Sequence, residues 1–125
     1  MKTFTLTEYG TDHFIHLEVS TYPKGNLAIS MTVIEDGVPE PWSVLTVNLD
    51  GVRAKDCAFI DTNNNGNDIT KWIEQYHLAE PTGTIEQNGY CLYPEYRFHP
   101  DILQEIDPIG YQFYLESQKQ YENSQ

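Results

Sequence analysis

The chain has 125 residues, of which 19 are acidic and 7 are basic, and its formal net charge is −12 at pH 7. A chain of this length can bury about two-thirds of the surface that its unfolded form exposes, so we expect one domain with a core of its own. The acidic excess argues against direct binding of nucleic acid and favours a basic protein partner or simple solubility.

The sequence also predicts a cellular setting. No apolar run approaches the roughly 18 residues that a membrane span needs, and the opening residues MKTFTLTEYG lack the apolar core of a secretory signal. We therefore expect a soluble, cytoplasmic protein with no membrane contact. Cys57 and Cys91 have neither metal-site nor disulfide spacing and are expected to be reduced and partly buried. His13 and His16 would lie on opposite faces of a strand, which disfavours a metal site there.

Residues 2–49 predict four strands of an antiparallel meander. Apolar residues alternate with polar ones in 13–20, in 26–33 and in 42–49, which is typical of strands with one buried face. The predicted turns are YPKGN at 22–26 and EDGVPEP at 35–41. The predicted inward residues are Ile15, Leu17, Val19, Leu27, Ile29, Met31, Val33, Leu45, Val47 and Leu49.

The middle of the chain predicts a strand, a helix and a hairpin. A polar connection, DGVRAKD, leads to a short apolar strand at 57–60. Ile69, Trp72, Ile73 and Tyr76 then recur at the spacing of one helical stripe, so this helix should pack on the sheet. EPTG at 80–83 is expected to end it, and the dipeptide Asn88-Gly89 predicts a two-residue hairpin turn between 84–87 and 90–93.

The C-terminal part predicts short helices. Pro100 should open one, and Asp107-Pro108 should begin another, with aspartate as the N-cap and proline at the first helical position. We expect one domain over 1–117 and a frayed tail over 118–125. The fold class is therefore α+β, with an antiparallel sheet of about four to six strands, one packed helix and short C-terminal helices.

The segment DTNNNGNDITKW at 61–72 resembles the first half of a calcium-binding loop. Asp61, Asn63 and Asn65 would supply oxygen ligands, but position 12, which needs a bidentate glutamate, is Trp72. The alternative is a structural one, in which the amides bond to their own backbone, Asn67 or a neighbour caps the helix, and Asp68 lies in its first turn.

The segment GYCLYPEYRFHP at 89–100 is the densest aromatic stretch. On an edge strand its face with Tyr93, Glu95 and Arg97 would be exposed, and these are residue types that anchor protein interfaces. A plain edge strand is the alternative. We find no motif for nucleotide, phosphate, metal or acyl chemistry, so the sequence indicates a protein that is not an enzyme and needs no cofactor.

Several motifs together resemble a known family. NLAI, LTVNL and AFIDTNN, a helix with a tryptophan, EPTG, NGYCLYPEYRF and DPIGYQFYL are similar to the domain-of-unknown-function family DUF4313, over about Asn26 to Leu115. The resemblance implies a small protein carried by mobile elements and phages of gut Firmicutes. It implies no catalytic residue.

That setting, joined to the net charge, suggests a partner. Mobile elements survive by blocking host restriction and CRISPR nucleases, and a folded acidic protein can offer carboxylates where such an enzyme expects phosphates. The predicted function is thus docking on a basic host protein, in the manner of a DNA mimic, with anti-restriction or anti-CRISPR effect. The candidate binding residues on turns and outer faces are Glu35, Asp36, Glu40, Glu86, Tyr93, Glu95, Arg97, Asp101 and Glu105.

Two other hypotheses stay open. A sponge for a nucleotide signal would require Arg53, Lys55 and Arg97 to converge, and an accessory role in conjugation or replication would need no counter-defence activity. The sequence also leaves the oligomeric state open.

Overall fold

The computed structural model describes residues 2–123, and within them eight strands and four helices are formed. The strands are β1 (Phe4–Glu8), β2 (Thr11–Thr21), β3 (Leu27–Glu35), β4 (Val38–Val44), β5 (Thr46–Val47), β6 (Cys57–Ile60), β7 (Ala79–Asn88) and β8 (Cys91–Phe98). The helices are α1 (Thr62–Asn65), α2 (Ile69–Gln75), α3 (Pro100–Ile106) and α4 (Pro108–Asn123), and a 3-10 turn spans Pro23–Gly25. The α+β class is confirmed, with eight strands divided between two antiparallel four-stranded sheets.

The first sheet is the predicted meander, in the order β1-β2-β3-β4. Two of its three hairpin connections are the two-residue turns Tyr9-Gly10 and Asp36-Gly37, which have positive φ at both central residues. This is the conformation of a type I′ turn, whose twist matches that of the strands. The predicted inward residues of β2 and β3 are all buried, with Ile15, Leu17 and Ile29 fully enclosed.

The structure corrects the region around β4. The predicted turn at 35–41 is only Asp36-Gly37, and the strand resumes at Val38. Pro39 and Pro41 are tolerated because β4 is an edge strand and needs no second row of hydrogen bonds. The predicted single strand over 42–49 is divided at Leu45, whose N–H donates to Ile29 O while its carbonyl accepts from Asp61 N, so the chain crosses here into the second sheet.

The second sheet has the order β5-β6-β8-β7. EPTG, predicted to be a helix-ending turn, lies inside the ten-residue strand β7, where an irregularity between Pro81 and Ile85 takes up the proline and glycine. Asn88 pairs with Cys91, so the hairpin loop is Gly89-Tyr90 rather than Asn88-Gly89. Only Gly89 has positive φ in this loop.

One core joins both sheets and all the longer helices. The predicted stripe of α2 is confirmed, with Ile69, Trp72 and Ile73 buried and Tyr76 packed against the core. α3 contributes Leu103 and Ile106 to this core.

Helix α4 adds Tyr111 and Tyr114 to the same core. It continues through residue 118, where the sequence predicted fraying, to Asn123. The reason is contact with the 3-10 turn, since a Cβ at Gly25 would meet the backbone of Gln118 at 2.9 Å. Residues 124–125 of the predicted tail lie outside the described residues.

The start of α4 is bonded to the first sheet. Asp107 Oδ1 accepts from Gly110 N at 3.0 Å, which confirms the predicted N-cap, and its Oδ2 accepts from Val19 N of β2 at 2.9 Å. In residues 2–123 no helix is long and apolar enough to cross a membrane.

Candidate protein-binding surface

The two type I′ hairpins place five carboxylates at one end of the first sheet. In a meander the turn after β1 and the turn after β3 lie at the same end, and residues 11–14 and 33–36 line one hollow of about 380 Å³. We call this set the acidic end, and it consists of Glu8, Asp12, Glu35, Asp36 and Glu40.

All five side chains of the acidic end are exposed, and none takes part in an ion pair with another described residue. Within residues 2–123, the one hydrogen bond to these carboxylates is donated by Thr7 Oγ1 to Asp12 Oδ1 at 2.6 Å. These carboxylates therefore have no compensating cation among the described residues.

Apolar side chains are interspersed with these acids. Tyr9 is fully exposed at the first turn, and Phe14 and Val38 are about half exposed. Across the sheet, the rings of His13 and Trp42 are in contact at an interplanar angle of 41°, with centroids 4.6 Å apart. Aromatic residues amid charges are typical of the centre and rim of protein interfaces.

Sequence reasoning found Glu35, Asp36 and Glu40 but missed Glu8, Asp12 and Trp42. A usable signal was present, because EYGTD at 8–12 and EDGVPE at 35–40 each have acidic residues on both sides of a glycine turn. In a predicted meander two such turns separated by one pair of strands must meet at one end.

The segment predicted as a calcium loop or a cap forms two short helical turns. Asp61 is the N-cap of α1: its Oδ1 accepts from Asn64 N at 3.1 Å and its Oδ2 accepts from Asn64 Nδ2 at 2.7 Å. Asn65 donates to Val44 O and accepts from Ser43 Oγ, while Asn63 is exposed.

The structure thus shows side-chain capping by Asp61 at α1, a helix that the sequence did not predict. For α2 the expected cap was Asn67 or a neighbour, with Asp68 in the first turn. The N-cap residue of α2 is Asp68 itself, and its side chain makes no capping hydrogen bond. Among residues 2–123 no group of three or more His, Cys, Asp or Glu side chains is arranged to hold a metal ion.

The remaining acidic candidates are not part of the acidic end. Glu86 and Glu95 lie on β7 and β8 of the second sheet, where Glu95 accepts a hydrogen bond from Thr82 Oγ1 at 2.7 Å. Asp101 and Glu105 lie on α3, and Glu105 pairs with Lys2 at 3.0 Å.

The expected exposure of Tyr93 is wrong, because Tyr93 is only 8% exposed. It packs with Leu49 and Phe59 in a second small cluster on the outer face of the second sheet. The polar segment before β6 covers this face, with the Arg53 guanidinium 4.9 Å from the Phe59 ring. From the sequence, that segment was interpreted as a polar connection, and the face with Tyr93 was therefore predicted to be exposed.

Arg97 and Arg53 have different environments. Arg97 is exposed on β8 opposite Cys57, whose thiol pKa is raised mainly by burial. Arg53 is buried and donates to the carbonyls of Leu49 and Asp50 at 2.8 and 2.7 Å. Its backbone N–H donates to Asn26 Oδ1, so the whole residue is part of an internal network.

Both cysteines are free thiols, as expected, with Cys57 buried and Cys91 half-buried.

The predicted site residues lie in three separate places: the acidic end, the β7–β8 hairpin and α3.

Comparison with known proteins agrees with the motif resemblance. The model of the family described as "Domain of unknown function (DUF4313)" matches residues 16–118, which is most of the chain. No match was found among curated proteins or among solved structures. The matched range runs from β2 into α4, so it includes the whole second sheet and three of the five residues of the acidic end, whereas β1, Glu8 and Asp12 precede it. The chain belongs to the DUF4313 family.

Proposed function

We propose that the chain is a non-enzymatic binding protein of a mobile element or phage, and that it docks on a basic host protein such as a defence nuclease. The observation that carries this proposal is the acidic end, where five exposed carboxylates lie at one end of the first sheet without an ion-pair partner among the described residues. An anti-restriction or anti-CRISPR effect would follow if the partner's nucleic-acid channel is what the acidic end fills.

The physical basis is electrostatic complementarity. A channel lined by Arg and Lys holds nucleic acid by replacing the counterions of its phosphates, and a surface of fixed carboxylates satisfies the same cations. The net charge of −12 steers the approach to such a channel, and this steering weakens as salt is added.

The exposed apolar residues supply the part of the binding energy that salt does not screen. Tyr9 lies in the β1–β2 turn, Phe14 on β2 and Val38 on β4, so the backbone of each is already ordered before a partner covers the side chain. A partner that matches both features would combine a basic surface with an apolar recess.

The nucleotide-sponge alternative has lost its main support. It required Arg53 to join Lys55 and Arg97, but the Arg53 guanidinium is committed to backbone carbonyls in the interior. No specific observation favours the accessory role in conjugation or replication over docking on a defence protein.

The test is a pull-down from host lysate with stepped salt washes and two triple variants of equal net charge. One carries Glu8→Lys, Glu35→Lys and Glu40→Lys in the acidic end; the control carries Asp101→Lys, Glu116→Lys and Glu122→Lys, all at exposed helical positions. We expect the wild type and the control to retain one basic, nucleic-acid-binding protein that salt releases, and the acidic-end variant to lose it.

Loss of the partner from both variants would assign binding to net charge alone, and retention by both would rule out the acidic end. Circular dichroism spectra of the three proteins should coincide, which excludes unfolding as the cause of a loss.

A further inference from the structure

A cleft of about 610 Å³ opens beside the acidic end, between the first sheet and the segment that joins α1 to α2. Its walls are Leu6–Glu8 of β1, Trp42 and Ser43 of β4, and residues 64–69. Its volume is in the range of clefts that hold small ligands or single large side chains. We call it the Trp42 cleft.

The cleft is preformed. Asn65 fixes the α1 wall to β4, since its amide accepts from Ser43 Oγ at 2.7 Å and donates to Val44 O at 2.9 Å. Trp42 is half-buried, packs on the core and has the His13 ring against it, so its indole is held in place. A ligand would therefore meet a surface that loses little freedom on binding.

The walls of the cleft carry hydrogen-bond acceptors and one aromatic ring. Glu8 is exposed and has no ion pair with a described residue. Asp68 pairs with Lys71 at 3.3 Å, but both side chains are more than 80% exposed, so this pair is weak and easily exchanged. Asn64 uses its Nδ2 to bond Asp61, which leaves its carbonyl oxygen as an acceptor.

We propose that the Trp42 cleft receives an arginine side chain presented by a protein partner. The planar guanidinium would stack on the Trp42 indole and donate to the Glu8 carboxylate and to the oxygens of Asp68 or Asn64. Arginine fits better than lysine because its flat, weakly hydrated cation stacks on aromatic faces and has five donors in a fixed fork. This inference rests on the proposed function, because it names the chemical group of the partner that the protein would recognise.

No Lys or Arg is among the described residues that line the cleft. Lys71 on α2 follows the lining in sequence, and its side chain is 83% exposed. The His13 ring contacts the Trp42 indole from β2. The cleft is thus rich in acceptors and lacks a buried cation, which is the complement of an arginine at the surface of a basic protein.

The test uses blocked Gly-Arg-Gly peptide as the probe and follows the indole N–H resonance of Trp42 by NMR. The second indole, Trp72, is buried and donates to Thr5 O, so it is an internal reference. We expect the Trp42 signal to shift saturably with the arginine peptide, and at least about tenfold weaker binding of the citrulline peptide, which keeps the shape but has no charge.

Matched variants identify the partner groups of the guanidinium. Glu8→Gln should weaken the arginine peptide several-fold, whereas Glu122→Gln, on the far end of α4, should leave its affinity unchanged. Equal shifts with the arginine and citrulline peptides, or no shift at all, would overturn the proposal. A stronger response to free spermidine than to the arginine peptide would also overturn it, because the occupant would then be a small polyamine.

The outcomes for the two proposals are separable. If the peptide binds but no salt-sensitive partner is captured from lysate, the cleft recognises arginine and the docking function fails. If a partner is captured through the acidic end while the peptide leaves Trp42 unchanged, the docking function stands and the cleft plays no part in it.

Discussion

At Gly110 the helix α4 lies against the first sheet without room for a side chain. A Cβ there would fall inside van der Waals contact with both Val19 O and the Asp107 carboxylate. Gly110→Ala should therefore destabilise the protein by about 1–3 kcal/mol through overpacking. In an uncrowded helix the same change would stabilise it by up to about 1 kcal/mol, so the sign of the effect is diagnostic.

Urea unfolding followed by circular dichroism measures this difference. Gln112→Ala, at an exposed position two residues further along α4, is the control and should change the free energy of unfolding by less than about 0.5 kcal/mol. A gain in stability from Gly110→Ala would show that α4 can move away from β2.

The buried tyrosines should limit the stability of the folded protein at alkaline pH. Burial is the main cause that raises the pKa of Tyr114 from 10.0 to about 12, and its hydroxyl accepts from Asp56 N at 2.9 Å. Because the folded-state pKa lies above the unfolded value, this tyrosine contributes stability below pH 10 that is lost as the pH rises towards 12. Burial likewise raises the pKa of Tyr96 to about 12.

We expect the tyrosinate absorbance to rise and the circular dichroism signal to fall over the same interval, between about pH 10 and 12. Tyr114→Phe should be less stable at neutral pH, because Asp56 N loses its acceptor, but its stability should fall less steeply over that interval. Tyr90→Phe, at a fully exposed position, is the control and should behave as wild type. Ionisation of the buried tyrosines without loss of structure would contradict this prediction.

Asp107 connects the element α4 to the element β2 through a single carboxylate. One oxygen caps the helix and the other accepts from Val19 N. Asp107→Asn can keep the cap but turns an NH₂ group towards Val19 N, so the variant should lose about 1–3 kcal/mol from the unpaired N–H. Asp107→Ala removes both bonds and should lose more.

Thermal unfolding of the two variants checks this order. Asp101→Asn, in the exposed first turn of α3, has no such double role and should have a small effect. If the Asn and Ala variants are equally stable, the bond to β2 contributes nothing beyond the cap.

Hydrophobic periodicity correctly predicted the strands and the helix that bury one apolar face. The alternation in β2 and β3 and the stripe on α2 place their apolar residues correctly, because burial of one face dominates there. β4 and β7 were misjudged at their prolines, which sequence rules assign to turns. Edge strands tolerate proline, and which strand lies at an edge depends on the topology of the whole sheet.

At the scale of the whole molecule, the net charge alone could not predict where the acidic residues cluster. The sequence shows how many acids there are, but their clustering depends on the meander that brings two turns to one end. Tyr93 illustrates the opposite case: its face was predicted correctly, but a loop from elsewhere in the chain covers it. The Trp42 cleft joins residues from β1, β4 and the α1–α2 segment, which no local pattern connects.

The acidic end should also lower the stability of the whole molecule. Glu35→Lys relieves repulsion among unpaired carboxylates, so we expect a higher melting temperature at low ionic strength, with a gain that shrinks as salt is added. Glu105→Lys changes the net charge equally but breaks the pair with Lys2, and should give a smaller rise or none. Equal gains would show that only net charge matters.

Each edge of the two sheets is protected in its own way. On β1 the Trp72 indole bonds Thr5 O, β4 carries Pro39 and Pro41, β5 has only two residues, and β7 contains Pro81 and an irregular segment. Such features prevent strands of neighbouring molecules from pairing. The protein should therefore remain free of amyloid-like assemblies even at high concentration, which thioflavin T fluorescence of a concentrated solution would check.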